Sequence, residues 1–390
     1  MAKKLIVLVL ACVMILVAFA GCTGTPAASS EAAPASSEAP ASSEVPASSA
    51  APASSEAAAP ADVGAGTMVG LAMPTKSLQR WNQDGAYMQQ EFEAAGYQVD
   101  LEYANNDAAT QVKQLENMLT KGCKVLVIAA IDADGLKTVL DDAKKANVVV
   151  FAYDRLIKGA DYYATFDNYN IGALQAKYVV EKLGLDKGEK GPFSMEIFGG
   201  SPDDNNAFMI NDAHMDVLKP YIDSGVLKIT SDQTKMEVIA IKAWDSGTAQ
   251  KRMDNLLTAY YADDPVDIVV SPNDSLAQGI VASLKAAGYS TEEGSKKPFP
   301  VITGQDCDIL SVKNLIAGMQ SMTIFKDTRT LAAQTVKMVG QILSGAEVDV
   351  NNTTDYSNVP SYLLTPVPVD LSNYKELLID SEYYTEDQLK

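Results

Sequence analysis

The sequence has little of the side-chain chemistry on which metal sites and nucleophilic catalysis usually depend. It contains one histidine and four cysteines in 390 residues. Zinc sites and nucleophile–base pairs need several such groups converging on one place. The chain also has no G-x-x-x-x-G-K-[ST] phosphate loop and no G-x-G-x-x-G motif after a strand. We therefore expect no metal and no cofactor, and interpret His214, in an amphipathic stretch, as a solvated helix residue.

Positive charge is also scarce. There are 31 lysines and arginines against 50 acidic residues, and the formal net charge is −19. A chain of this charge is repelled by phosphate backbones, so nucleic acid is not an expected partner. The length and the 47% hydrophobic content allow two compact domains with apolar cores.

Residues 1–21 have the pattern of an export signal. Lys3 and Lys4 precede an apolar run from Leu5 to Ala20, and the small pair Ala20-Gly21 comes before Cys22. The run would span roughly 24 Å as a helix, which is short for a bilayer core of about 30 Å. The pattern therefore predicts a cleaved leader rather than a permanent membrane span.

The segment from Phe19 to Cys22 resembles a bacterial lipobox, with Phe19 where leucine is usual. The resemblance implies lipidation of Cys22; the alternative is ordinary signal cleavage nearby. Residues 22–66 are almost only Ala, Ser, Pro and Glu, a composition that cannot bury a core and predicts a disordered tether. Cys123 and Cys307 remain, and an export setting permits a disulfide between them without requiring one.

From Met68 onward, short apolar runs alternate with amphipathic stretches. Met68–Met73 and Lys124–Ala130 are typical of strands, whereas Gly85–Ala95, Ala108–Lys121 and Asn168–Leu183 are typical of helices. This alternation predicts an α/β protein with parallel sheets. Roughly ten strands exceed one typical domain, so we expect two similar sheets, with ligand groups beyond the carboxyl ends of their strands.

Six predicted strand ends carry the same polar side-chain types. Asp154-Arg155 follows one run, Asp203 to Asn206 another, and Asn273-Asp274, Asp306 and Lys326 follow others, while Arg80-Trp81 follows the first. Charged hydrogen-bonding groups beside indole rings suit a neutral polyhydroxylated ring. Each feature has a structural alternative: a surface ion pair for Asp154-Arg155, helix caps at Asp203 to Asn206 and Asn273, and core packing for Trp244.

At these segments the sequence resembles the periplasmic-binding-protein group serving sugar ABC importers, in particular the xylose-binding and multiple-monosaccharide receptors. The matching strings include Ala72 to Ser77 with Arg80-Trp81, Ala152 to Leu156, Phe198 to Phe208, Gly304 to Asp306 and Pro360 to Leu364. The likeness extends over about 68–390. It implies a type I fold, two Rossmann-like lobes with parallel sheets joined by a three-crossover hinge. The lobes would comprise 67–168 plus 325–360 and 169–324 plus 361–390.

The resemblance also implies a site and a function. The ligand-binding residues would be Arg80, Trp81, Asp154, Arg155, Asp204, Asn205, Asn206, Trp244, Asn273, Asp306 and Lys326. Asn205 and Asn206 compete for one role, Trp81 is a contact or lining residue, and Asn273 resembles the xylose receptors where the multiple-monosaccharide receptors have an aromatic residue.

The implied protein is a monomeric, lipid-anchored receptor on the extracytoplasmic face of the membrane. It captures a monosaccharide of the xylose, glucose, galactose or arabinose type and delivers it to the permease of an ABC importer. Presentation of the sugar to a chemoreceptor or sensor kinase is an alternative. A sugar-active enzyme is a more remote one, since paired carboxylates such as Asp154 and Asp204 could serve glycoside hydrolysis.

Overall fold

The computed structural model describes residues 66–353 and 358–390. Residues 58–390 form one compact unit. The other unit, Met1–Ala57, lies outside the described residues, as do the predicted leader, Cys22 and all of the predicted tether except Gly66. Within the described part of the chain, no helix combines the length and apolar character needed to cross a bilayer.

Strands and helices alternate through most of this unit. In chain order the strands are β1 (Met68–Met73), β2 (Gln98–Tyr103), β3 (Val125–Ile128), β4 (Val149–Tyr153), β5 (Tyr162–Phe166), β6 (Phe193–Ile197), β7 (Leu227–Ile229), β8 (Ile268–Val270), β9 (Val301–Ile302), β10 (Met322–Phe325), β11 (Ser361–Leu364) and β12 (Val367–Asp370).

The helices follow the same order. They are α1 (Gln79–Ala94), α2 (Ala108–Lys121), α3 (Lys137–Lys145), α4 (Asn168–Lys182), α5 (Asn205–Asp223), α6 (Met236–Ile239), α7 (Ser246–Tyr260), α8 (Asp274–Ala286), α9 (Ile309–Ile316), α10 (Thr328–Ser344) and α11 (Glu386–Leu389). Short 3-10 turns lie at Asp134–Leu136, Leu185–Lys187 and Lys242–Trp244, and a π-helical turn at Lys375–Asp380.

Two parallel sheets form the two lobes. The first has six strands in the order β11-β5-β4-β3-β1-β2, and the second has four in the order β7-β6-β8-β9. All four residues of β3 and all three of β8 are buried, as expected for strands covered on both faces. The antiparallel pair β10–β12 stands beside the second sheet, because the Ile324 amide donates to the Gly304 carbonyl just after β9.

One predicted lobe boundary is wrong. The sequence prediction placed residues 361–390 together in the second lobe, but β11 pairs in parallel with β5 and so completes the first sheet. The chain therefore returns toward the second lobe after Leu364, where β12 pairs with β10. Ser361 to Leu364 align in parallel with Tyr163 to Phe166, so this run extends the first sheet by one strand.

Helix α1 begins six residues earlier than the sequence predicts. Its N-cap residue Leu78 makes no side-chain capping bond, so the usual polar start signal is missing. The first turn is instead stabilised by an ion pair four residues apart, Arg80 with Asp84, at 2.9 Å. Arg80 and Trp81 consequently stand on a helix, which restricts the directions in which their side chains point.

The expectation for His214 is wrong. The residue is fully buried on α5, and its Nε2 lies 2.7 Å from Oε1 of Gln175 on α4. Gln175 in turn donates to the carbonyls of Pro272 and Gly304. Burial lowers the pKa of His214 to about 3, so the ring is neutral at physiological pH. His214 is therefore part of the polar packing behind the second sheet.

Candidate functional site

A cleft between the lobes gathers almost every side chain that the sequence singled out. The empty space within it is about 420 Å³, part of which is open solvent. The predicted residues that line it are Arg80, Trp81, Asp154, Arg155, Asp204, Asn206, Trp244, Asn273, Asp306 and Lys326. Asn205 does not line it: Asn205 is exposed at the start of α5, whereas Asn206 is buried and faces inward. The structure thus separates these two alternatives in favour of Asn206.

Asp154 lies at the centre of the cleft, directly after β4. Its backbone is held in a left-handed conformation, φ +58°, and its carbonyl accepts hydrogen bonds from Tyr163, Thr165 and Asn206. These three donors fix a conformation that is unfavourable for most residues. The carboxylate is thereby aimed between the lobes.

The Asp154 carboxylate lies among cations. Its Oδ2 is 2.9 Å from Nη1 of Arg80 and 3.4 Å from Nζ of Lys326. Burial alone would raise the pKa of Asp154, but Arg80, Lys326 and Arg155 together lower it to about 2. The group is therefore a permanent acceptor for hydroxyl hydrogens in the physiological range.

Arg80 is fixed from behind. Its guanidinium bonds Asp84, whose other oxygen accepts from the hydroxyl of Tyr153. The guanidinium also lies 4.4 Å from the Trp81 ring centroid, and that of Arg155 lies 5.2 Å from the same ring. The indole therefore orients both cations by cation–π contact, in addition to any apolar surface it offers a ligand. Trp81 lines the cleft, and its direct contact with a ligand stays a prediction.

The opposite wall centres on Asp204. This residue caps α5 by accepting from the Asn206 amide, and its Oδ2 lies 3.1 Å from Nε of Arg155 and 3.2 Å from Nε1 of Trp244. Burial raises the pKa of Asp204, and Arg155 opposes that rise. The helix cap that the sequence offered as the structural alternative is therefore present, and the same side chain also lines the cleft. Ligand binding by Asp204 stays a prediction.

Asp306 and Lys326 join the two halves of the site. Lys326 Nζ lies 3.1 Å from Asp306 and 3.4 Å from Asp154, and Arg80 Nη1 lies 3.4 Å from Asp306. Asp306 has φ +99° and Cys307 φ +54°, so the turn after β9 projects Asp306 back toward the first lobe. Asn273 caps α8 through its Oδ1 and lines the same wall.

Sequence reasoning missed four lining residues: Leu78, Ser275, Gln305 and Asp308. Gln305 and Asp308 adjoin the selected Asp306, so proximity to it was the available signal. Within residues 66–353 and 358–390, Asn206 Oδ1, Gln305 Oε1 and Asp308 Oδ1 are buried cleft oxygens without a hydrogen-bond partner. Buried acceptors are normally satisfied. The oxygens of Asn206 and Gln305 are thus available to accept from ligand hydroxyls, and the Asp308 carboxyl can accept when ionised or donate when protonated.

The combined chemistry suits a neutral ligand rich in hydroxyl groups. Carboxylates and amide oxygens accept from hydroxyls, while Arg155, Arg80 and Lys326 donate to oxygens, and Trp81 and Trp244 supply flat apolar surface. Across the described ranges, no group of three or more His, Cys, Asp or Glu side chains could hold a metal ion. Cys123 and Cys307 are both buried and free.

The comparisons with known proteins agree with this chemistry. A family model described as a periplasmic binding protein domain matches residues 69–347. The multiple sugar-binding periplasmic receptor ChvE of Rhizobium radiobacter is 54% identical over 329 residues, covering 83% of this chain and 92% of the receptor. The D-xylose-binding periplasmic protein of Escherichia coli is 35% identical over 325 residues, covering 82% of this chain and 92% of that protein.

A solved structure shows the same likeness. An ABC transporter solute-binding protein from Clostridium phytofermentans, with bound β-D-glucose, superposes with a TM-score of 0.79 and is 55% identical. The match covers 83% of this chain and all of that one. The arrangement of two lobes around a polar cleft is therefore shared with a structure that holds a sugar.

Proposed function

This chain belongs to the periplasmic binding protein family, and from that premise we propose that it captures a monosaccharide between its lobes for an ABC importer. The observation that carries the proposal is the cleft itself. Ten predicted side chains converge there, charged groups from both lobes pair across it, and three buried oxygens of the described chain lack partners. A sugar hydroxyl would satisfy each of those oxygens.

The proposed ligand class is an aldopentose or aldohexose in pyranose form. Strong charge-assisted acceptors such as Asp154 and Asp204 bind hydroxyls, and Trp244 covers a C–H face. Relatives described as binding multiple sugars, D-xylose and β-D-glucose make D-glucose and D-xylose the first ligands to try. Ligand would favour the closed arrangement because only closure completes both halves of the contact ring.

A thermal-unfolding screen of residues 58–390 tests this proposal. Pentoses, hexoses, inositol and disaccharides would be added in turn, with mannitol as an acyclic polyol control. A sugar at 100 times its dissociation constant should stabilise the protein by about 2.7 kcal/mol. Absence of any shift with every monosaccharide, or chemical turnover of one of them, would refute a binding receptor.

We also propose that Cys22 carries a lipid anchor and that residues 22–66 tether the body to the outer face of the membrane. The support is sequence alone: the lipobox-like segment, followed by about forty residues of Ala, Ser, Pro and Glu. Radiolabelled palmitate should be incorporated into the native chain and lost in Cys22→Ser, with the protein moving to the soluble fraction. Unchanged membrane retention of Cys22→Ser would favour ordinary signal cleavage.

A further inference from the structure

Tyr384, in the carboxyl-terminal segment, lies beside the turn that carries the cleft residue Asp306. Its ring is buried against Tyr383 and in a cluster that includes Cys307 and Leu378. Its hydroxyl donates to the Cys307 carbonyl at 2.9 Å and accepts from Nε2 of Gln79 at 2.7 Å and of Gln83 at 3.3 Å. A phenolic oxygen has one hydrogen to donate and two lone pairs. This hydroxyl therefore uses its full hydrogen-bonding capacity.

These bonds connect the two lobes. Gln79 and Gln83 stand on α1, which follows the first strand of the first sheet, whereas Cys307 follows the last strand of the second. Gln79 makes a second link, because its Oε1 accepts from the amide of Ile309 at the start of α9, at 3.0 Å. One glutamine side chain from the first lobe is thus held by two groups beyond the second sheet.

The linked positions adjoin ligand-site residues. Gln79 immediately precedes Arg80, and Cys307 immediately follows Asp306, whose side chains approach to 3.4 Å within the cleft. Asp306 and Cys307 both have left-handed backbones, which need support from their surroundings. The Tyr384 hydroxyl supports this turn by donating a hydrogen bond to the Cys307 carbonyl.

We propose that Tyr384, acting with Gln79, is a positioning residue that stabilises the closed lobes and the Asp306 turn without touching the ligand. The inference rests on the proposed function, since its consequence is tighter retention of the sugar. Opening the cleft would separate Gln79 from Tyr384 and Ile309, so these bonds favour closure. Their loss should act mainly on the dissociation rate, because the encounter surface is unchanged.

Tyr384→Phe in residues 58–390 is the test, because it removes the hydroxyl and keeps the ring. Tyr289→Phe is the matched control: Tyr289 is buried in the second lobe, and its hydroxyl accepts from the Val266 amide, away from the cleft. We expect Tyr384→Phe to weaken binding of D-glucose or D-xylose roughly five- to tenfold. The change should appear in the dissociation rate by stopped flow, with Tyr289→Phe within twofold of wild type. Equal affinities in both variants would overturn the proposal.

A second readout needs no ligand. Fluorophores on Lys113→Cys in α2 and Lys251→Cys in α7, both exposed sites, report the distance between lobes. The two native cysteines within residues 58–390, Cys123 and Cys307, are buried. Tyr384→Phe should shift the free protein toward the open distance relative to Tyr289→Phe. If wild type binds no sugar, the proposed function fails. The distance measurement still tests whether Tyr384 stabilises the closed lobes, because it needs no ligand. Identical distance distributions would then reject it.

Discussion

Asp154 shows how one residue meets two demands that rarely coincide. It adopts φ +58°, which Asp and Asn tolerate better than most side chains, and it must carry a negative charge between Arg80 and Lys326. Asn would satisfy the first demand and fail the second. The substitution therefore separates backbone geometry from charge.

We expect Asp154→Asn to weaken sugar binding roughly 10- to 100-fold, because a hydrogen bond to a charged group contributes about 1.5–3 kcal/mol. The melting temperature without ligand should change little, since Arg80 keeps Asp84 and Lys326 keeps Asp306 as partners. Isothermal calorimetry and thermal unfolding measure the two effects. A large loss of unliganded stability would show that Asp154 is structural.

Asp308 should make stability depend on pH. Burial, and secondarily Asp306, raise its pKa to about 7, against the partial opposition of Arg80 and Lys326. An unfolded aspartate titrates near about 3.9. The folded state therefore holds a proton that the unfolded state has lost, and this contribution to stability is present below about pH 4 and disappears as pH rises through 7.

Asp308→Asn removes that dependence. The difference in unfolding free energy between the variant and wild type should favour the variant more at pH 8 than at pH 4, by on the order of 1–3 kcal/mol. Asp274 is present in both proteins, but the Asp308 charge raises its pKa, so the comparison also includes a change in the titration of Asp274. Urea unfolding at the two pH values gives the comparison, and an equal difference at both would contradict the assignment.

At the scale of elements, helix starts provide much of the site. Asp204 caps α5 and Asn273 caps α8, yet both also line the cleft. A polar residue after an apolar run is visible in the sequence, so both positions could be predicted. The start of α1 could not be, because Leu78 gives no capping signal. Gln305 and Asp308 were missed because the strained turn that directs them inward depends on contacts with β10.

Gly200, between β6 and α5, provides a prediction at this scale. A Cβ there would lie 2.1 Å from the Trp244 ring, so Gly200→Ala must displace the indole. We expect a loss of about 1–3 kcal/mol in stability and weaker sugar binding. Gly247→Ala is the control, because it lies in α7 with only Asp245 Oδ1 nearby, at 3.5 Å. Unfolding midpoints and calorimetry on both variants distinguish a steric effect at Trp244 from a general effect of alanine.

At the scale of the whole molecule, the charge pairs across the cleft predict that sugar binding is coupled to closure of the lobes. Saturating sugar should reduce the radius of gyration measured by X-ray scattering, because closure brings the lobes together. Asp154→Asn at the same sugar concentration should keep the unliganded radius. A radius in wild type that sugar leaves unaltered would mean that binding does not require closure.

The overall architecture was predictable because its signals are local. Alternating apolar and amphipathic runs indicated two parallel sheets, and α2 begins and ends where the sequence predicted. Long-range pairings carried no such signal. Strand β11 joins β5 across nearly two hundred residues, and Tyr384 reaches Gln79 across 305. Burial of His214 was likewise missed, since its partner Gln175 lies on another helix.

The position of β11 in the first sheet has a consequence for biosynthesis. Its four residues leave the ribosome only after the whole second sheet has been made. The first sheet can therefore gain its last edge strand only near the end of translation, and its β5 edge stays unpaired until then. The first lobe therefore cannot complete its sheet before the second lobe has been synthesised. A gene fragment encoding the first lobe would have to join two distant segments to restore its sheet.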